Sequence, residues 1–370
     1  MMERQYLEDD YLYEDEDAMS CLRELRSKID YAKKSGNVER AFELYYQYVK
    51  DDALCFSGYN AYCILPEYIE YYNGHFEYEE QKIYVMLAFK MILPIVDGFS
   101  CLSIKQIRDC FELYKNCCIR YGYSLRSYYR ILWYFLYSHK ESDSHFEISV
   151  KEAHKKGMEK KRDSLSDNEA VEAYDDFTYY LDVEDNEAEA IRIISPYLKK
   201  ENRYGSVPHQ SYYYLARYYF DKGQIGKSIK FAKTALVMIE KDYPDYSCFM
   251  TICSILFDII SIRYKEKAFR TFKELLNCLE KCQNQASVFT FYECSYRMFY
   301  RLEKSGVDSV VISFPKWLSC CSFDTSNEYS TKEIKEFYFS KAKELADQFD
   351  SINHFHEFND SLNEIPVLKE

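Results

Sequence analysis

Glycine and proline are scarce, at 10 and 7 residues in a chain of 370. A fold made of many short strands needs frequent turns, so an all-β architecture is excluded and long helices with short connections are favoured. Nowhere is there a run of about 18 apolar residues, so no membrane-crossing helix is expected. Basic charge is also short: 48 Lys and Arg stand against 61 Asp and Glu, for a net charge of −13 and a pI of about 5.2. A duplex binder needs a basic footprint to displace counterions, so no nucleic acid is expected as partner. A basic protein or peptide is electrostatically easier. The 14 cysteines lack C-x-x-C spacing, and the opening MMERQYLEDDYLYEDED lacks the apolar stretch of a secretion signal. Reduced thiols in a cytoplasmic protein are the expectation.

Motifs that carry chemistry are missing as well. The sequence holds no phosphate-cradling glycine loop, no H-E-x-x-H and no nucleophile elbow, so no catalytic residue and no cofactor is assigned. His354, His356 and Glu357 could ligate a metal only if the helical tail brought them to one side, and alternate residues on a helix point apart. No metal is therefore assigned. His139, His145 and His154 lie in a polar stretch and read as surface residues.

What the chain does have is helical periodicity, with 39 Tyr and 25 Phe to fill irregular gaps between helices. It is clearest in QSYYYLARYYFDKGQIGKSIKFAKTALVMIEKDYP, residues 210–244. Tyr212, Leu215, Ala216 and Tyr219 share one helix face, and Ile225, Ile229, Ala232 and Ala235 share another. Gly223 supplies the turn between them, and Pro244 ends the pair. The small side chains of Ala216, Ser228, Ala232 and Ala235 let two helix axes approach to roughly 8–10 Å.

That order of leucine–alanine, aromatic, glycine, small residue and closing proline resembles the tetratricopeptide repeat family. Weaker pairs of the same kind turn at Ser35-Gly36-Asn37, at Asn73-Gly74 and at Asp185-Asn186. Corresponding positions at Ala41, Glu80, Ala190, Ser228 and Ala268 recur at steps of 39, 110, 38 and 40 residues. The expected fold is all-α, an α-solenoid of roughly 7–8 tetratricopeptide-like helix pairs with a period of about 38–40 residues. Ser103–Gln106, Ser166–Glu169 and Ser330–Glu333 have capping-box spacing.

The expected organisation is an acidic, flexible tail over 1–17, N-terminal helical repeats over 18–140, and an irregular or boundary segment over 141–165. C-terminal repeats follow over 166–350, with a frayed tail over 351–370. The cations Lys151, Lys155, Lys156, Lys160, Lys161 and Arg162 of the boundary segment read as a solvated helical face.

The resemblance implies binding rather than catalysis, with the first helix of each pair lining a concave face. Transferred onto this sequence, the partner-binding positions are Gln210, Tyr213, Arg217, Phe220 and Asp221 in one pair, and Glu172, Asp175, Tyr179 and Asp182 in the pair before it. The expected function is non-catalytic capture of a protein or peptide. That capture would serve a peptide-responsive regulator, or an inhibitor or immunity-type protein blocking a basic partner. A protein-directed enzyme or enzyme accessory, such as a phosphatase, is the alternative. Either the groove or the acidic arm is the contact surface.

Overall fold

The computed structural model describes residues 16–55, 58–139, 146–198, 207–242, 249–282, 284–315, 318, 327–353 and 357–363. Among these the chain is helical apart from one two-stranded ribbon. The N-terminal helices are α1 (Glu16–Lys34), α2 (Val38–Cys55), α3 (Tyr59–Asn73), α4 (Lys82–Ile92), α5 (Ile104–Tyr121) and α6 (Arg126–Ser138). Next come α7 (Val150–Glu159), α8 (Glu169–Asp182), α9 (Glu187–Ile194), α10 (Val207–Asp221) and α11 (Ile225–Asp242). The last are α12 (Met250–Ser261), α13 (Lys265–Cys278), α14 (Gln285–Lys304), α15 (Thr331–Asn353) and α16 (Glu357–Asn363). None is long and apolar enough to cross a membrane.

Helices α1 and α2, α8 and α9, and α10 and α11 pack against each other, because their connections are short and turned by residues that take a left-handed backbone. Gly36 at φ 71° and Gly223 at φ 69° sit at two such corners, where any side chain would be strained. Asp185 takes the same region at φ 48° before Asn186, whose side chain accepts from the Glu189 N–H and caps α9. From α8 onward a second layer of contacts appears: α8 packs on α10, α10 on α12, and α12 on α14. The first helices of successive pairs thus line up side by side. At the α10–α11 crossing Ala216, Ser228, Ala232 and Ala235 are fully buried, and the Ser228 hydroxyl donates to the Ala216 carbonyl at 2.7 Å.

Two apolar cores result. One joins α1 to α7 around Phe42, Tyr68, Phe89, Phe111 and Trp133; the other joins α8 to α16 around Phe177, Leu236, Phe257, Phe272 and Tyr338. Helix α8 belongs to both, giving Tyr179 to the first and Phe177 and Leu181 to the second. The halves also touch at a second place. Gly98 lies against the Asn284 side chain, and the Ser100 N–H donates to the Gln285 side chain at 3.2 Å. The turn before α5 therefore docks on the start of α14.

The structure corrects four expectations. The boundary segment is not irregular throughout: residues 150–159 form α7, which packs on α6, and Arg126 donates to the carbonyls of Gly157, Met158 and Lys160 at its C-terminal end. Asn168, rather than Ser166, caps α8, accepting from Ala170 and Val171 at 3.0 Å; Ser166 is held back by the Asp163 N–H at 3.0 Å. Ser330 belongs to a strand, β2 (Glu328–Ser330), pairing antiparallel with β1 (Ser309–Val311). The C-terminal tail is partly folded: α16 packs on α15 and buries Leu362. The Ser103–Gln106 capping box is present. The tail over 1–15 lies outside the described residues, and α1 has already begun at Glu16.

Candidate functional site

Six of the nine positions transferred from the repeat resemblance separate into two clusters. Glu172, Asp175 and Tyr179 go to a seam between α6, α7 and α8. There Arg126 holds Glu172 bidentately, Nε at 3.0 Å and Nη2 at 2.8 Å, with both side chains over nine-tenths buried. Arg162 pairs with the same carboxylate. Arg130, also buried, reaches Asp175 at 3.3 Å and Asp176 at 3.0 Å. The Tyr179 ring stacks on His154 at 3.5 Å between centroids, and His154 Nε2 lies 3.2 Å from Asp176. Burial opposes ionisation of Asp176, but His154 and Arg130 outweigh it and hold its pKa below the ordinary value. For Asp175 burial wins over Arg130, and its pKa is raised.

The seam is closed. Glu172 and Tyr179 are buried and contact their own chain, which corrects their placement on a partner-facing surface. His154 is likewise a buried residue, not a surface one. The basic residues of this stretch are largely paired: Lys151 with Glu184 at 3.1 Å, Lys156 with Glu152 at 2.7 Å.

Arg217, Phe220 and Asp221 go elsewhere. At spacing i, i+3, i+4 they share one face of α10 and line a cavity of about 480 Å³. Its other walls are the equivalent faces of α12, with Ile255, Asp258 and Ile259, and of α14, with Phe289, Glu293 and Arg297. Ser138 and His139 at the end of α6 close one side, and Phe358 and Ser361 of α16 the other. Three consecutive first helices thus supply an apolar floor with charges of both signs around it.

Most of those charges are committed. Asp258 pairs with Arg301, which is buried behind the cavity and also donates to the Ser261 hydroxyl at 3.0 Å. Glu293 pairs with Arg297 at 2.7 Å. Arg217 differs. Its guanidinium lies over the Tyr214 ring at 5.5 Å and hydrogen-bonds Tyr213, and no ion pair of Arg217 is found among the described residues. Burial by itself would lower its pKa, but Tyr213, Tyr214, Asp182 and Asp221 outweigh that and hold the group firmly charged. Asp221 stands exposed at the rim, yet desolvation raises its pKa despite Arg217. A cation with unused donors beside apolar surface can receive a carboxylate or a backbone carbonyl.

The remaining positions are intermediate. Tyr213 is buried, with 7% exposed, so it supports Arg217 rather than facing a partner. Asp182 accepts from the Tyr214 hydroxyl at 2.5 Å and so fixes the ring beneath Arg217. Gln210 is partly exposed further up the same helix face and does not line the cavity. The residues that sequence reasoning missed are those of α12, α14 and α16. Asp258, Glu293 and Arg297 occupy positions in their helices comparable to those of Arg217 and Asp221 in α10, and extending the pattern forward would have found them.

Cys110, Cys117, Cys118, Cys253 and Cys294 are buried thiols. Burial pushes Cys110 and Cys118 up to about 12 and Cys117 to about 11, the reverse of what a reactive thiolate needs. Among the described residues no group of three His, Cys, Asp or Glu is placed to hold a metal; His354 and His356 lie outside them. No family model, no curated protein and no solved structure matches this chain.

Proposed function

We propose that the chain is a non-catalytic protein- or peptide-binding protein, a tetratricopeptide-like solenoid whose concave face is the cavity walled by α10, α12 and α14. The observation that carries this reading is Arg217. A charged guanidinium with no ion pair among the described residues, held by two tyrosines beside a floor of Phe220, Ile255, Ile259 and Phe289, is poised for a ligand. Aromatic and Arg anchors supply most of the energy of protein interfaces, at about 2 kcal/mol or more each. The side-by-side packing of first helices supports the solenoid reading, because it presents equivalent faces as one strip. The excess of carboxylates favours a basic partner, and the protein acts on it as a peptide-responsive regulator or as an inhibitor of the immunity type.

The test is affinity capture with Arg217→Gln. Tyr213 is left intact because its burial would make Tyr213→Ala a folding defect. The variant should keep its circular dichroism spectrum and lose at least tenfold in captured partner. Capture that survives Arg217→Gln but disappears on deletion of residues 1–17 would move the contact to the acidic arm.

A further inference from the structure

One end of the cavity is already filled, and by the chain itself. Helix α16 is seven residues long, and its seat reads both its apolar side and its two ends. The Phe358 ring stacks on Phe349 at 4.2 Å and meets the edge of Phe289 at 5.1 Å; Leu362, four residues on, is buried on the same side. At the N-terminal end Asp350 accepts from the N–H groups of Phe358 at 3.3 Å and Asn359 at 3.0 Å. At the C-terminal end Arg297 donates to the Ser361 carbonyl at 2.9 Å, and the Ser361 hydroxyl donates to Glu293 at 2.6 Å. A carboxylate on the first N–H groups and a guanidinium on a late carbonyl match the dipole of a short helix.

We propose that this seat is a recognition site for a short helical peptide carrying an aromatic residue and, four positions later, a leucine, and that α16 is the intramolecular occupant such a peptide displaces. The inference rests on the groove reading above and adds the kind of partner. Phe358 and Ser361 line the same cavity as Arg217, so a longer peptide seated in place of α16 would continue towards that guanidinium. Seven residues are too few to be helical alone, and their order here comes from the seat. The anchors at its ends are hydrogen bonds to the charged side chains of Asp350, Arg297 and Glu293, which a helical competitor with the same pattern reproduces.

The probe is an acetylated, amidated peptide with the sequence of Glu357–Asn363, observed by saturation-transfer NMR against the full chain. The intact protein should give little transfer, because its own segment holds the seat at an effective concentration of about millimolar. The full-length variant Phe358→Asp with Leu362→Asp should release α16 and give at least fivefold more transfer to the peptide's aromatic ring. A peptide with that Phe replaced by Ala should give none. Equal transfer to both proteins, or none to the variant, overturns the proposal. Hydrogen exchange guards against a folding artefact: amides of 357–363 should lose protection in the variant while those of 285–304 keep it. Loss across 285–304 would make α16 a fixed part of the core and also overturn it. Failure here leaves the Arg217-dependent capture standing, and failure of that capture leaves the peptide result standing.

Discussion

The seam and the groove are built from the same residue types and differ in one respect: whether their charges are spent. At the seam three arginines and three carboxylates meet with His154, each with a partner inside the chain. In the groove Arg217 and Asp221 are neighbours on one helix face and line a cavity of about 480 Å³, yet neither forms an ion pair among the described residues. Satisfied buried networks fix a structure; unsatisfied groups beside apolar surface are where a partner gains energy. Glu172 and Arg217 were equivalent candidates by the repeat resemblance. Their surroundings, not their identity, divide them into one spent within the chain and one with no ion pair among the described residues.

The largest expected effect breaks the seam. Arg126→Ala removes both hydrogen bonds to Glu172 and those to the last carbonyls of α7, and leaves a carboxylate that is 7% exposed with only the half-exposed Arg162. Breaking a buried pair from one side costs about 3–5 kcal/mol. Chemical denaturation should show a loss of that size. Arg126→Met combined with Glu172→Met should cost less than Arg126→Ala alone, since no buried charge is stranded. A double variant worse than the single would mean that the pair supplies net stability.

Ala216→Leu sharpens the comparison at the groove's own wall. Ala216 is fully buried where α10 crosses α11, and the added carbons meet Ser228 and Ala232 on the facing helix. Overpacking of this kind costs about 1–3 kcal/mol. An unchanged denaturation midpoint would show that α10 can shift away from α11, and the geometry of the Arg217 face would then not be set by that crossing.

The all-helical fold was legible because its cause is local. Few glycines, few prolines and apolar residues at i, i+3, i+4 leave little choice, and α10 and α11 bury Leu215, Ala216, Tyr219, Ile229, Ala232 and Ala235 as the spacing predicts. Capping was legible at Ser103, where the spacing of hydroxyl and amide suffices, and not at Ser166, because Asp163 in the same turn competes for that hydroxyl. The short helix α7 was read only as a helical face within an irregular or boundary segment, because what docks it is tertiary: Arg126 lies 31 residues before the carbonyl of Gly157 that it satisfies. The same limit divides the candidate site. The repeat resemblance placed Arg217, Phe220 and Asp221 together on one face. It could not show that Arg126 and Arg130 come from an earlier helix to occupy Glu172 and Asp175, nor that α16 returns across 64 positions to Arg297.

The smallest effect concerns a cluster between these extremes. Glu67 on α3 is about a quarter exposed and receives Arg26 at 2.8 Å, Lys33 at 2.9 Å and the Tyr45 hydroxyl at 2.5 Å. Burial by itself would raise its pKa; the three donors outweigh it and bring the group down from 4.5 to about 2. The folded state therefore favours the carboxylate, so the stabilisation is complete above the unfolded value near 4.5 and is lost as pH falls towards 2. Glu67→Gln keeps the shape and removes the charge. Partial solvent screening limits the cost to about 1–2 kcal/mol at pH 7. Urea denaturation of wild type and variant between pH 7 and pH 3 should show a constant gap down to about pH 5 that narrows below it, as Glu67 takes up its proton in the unfolded wild type. A gap that keeps its size down to pH 3 would mean that Glu67 acts by shape and hydrogen bonding alone. The cluster would then resemble the seam, where geometry is fixed, more than the groove, where charge remains available.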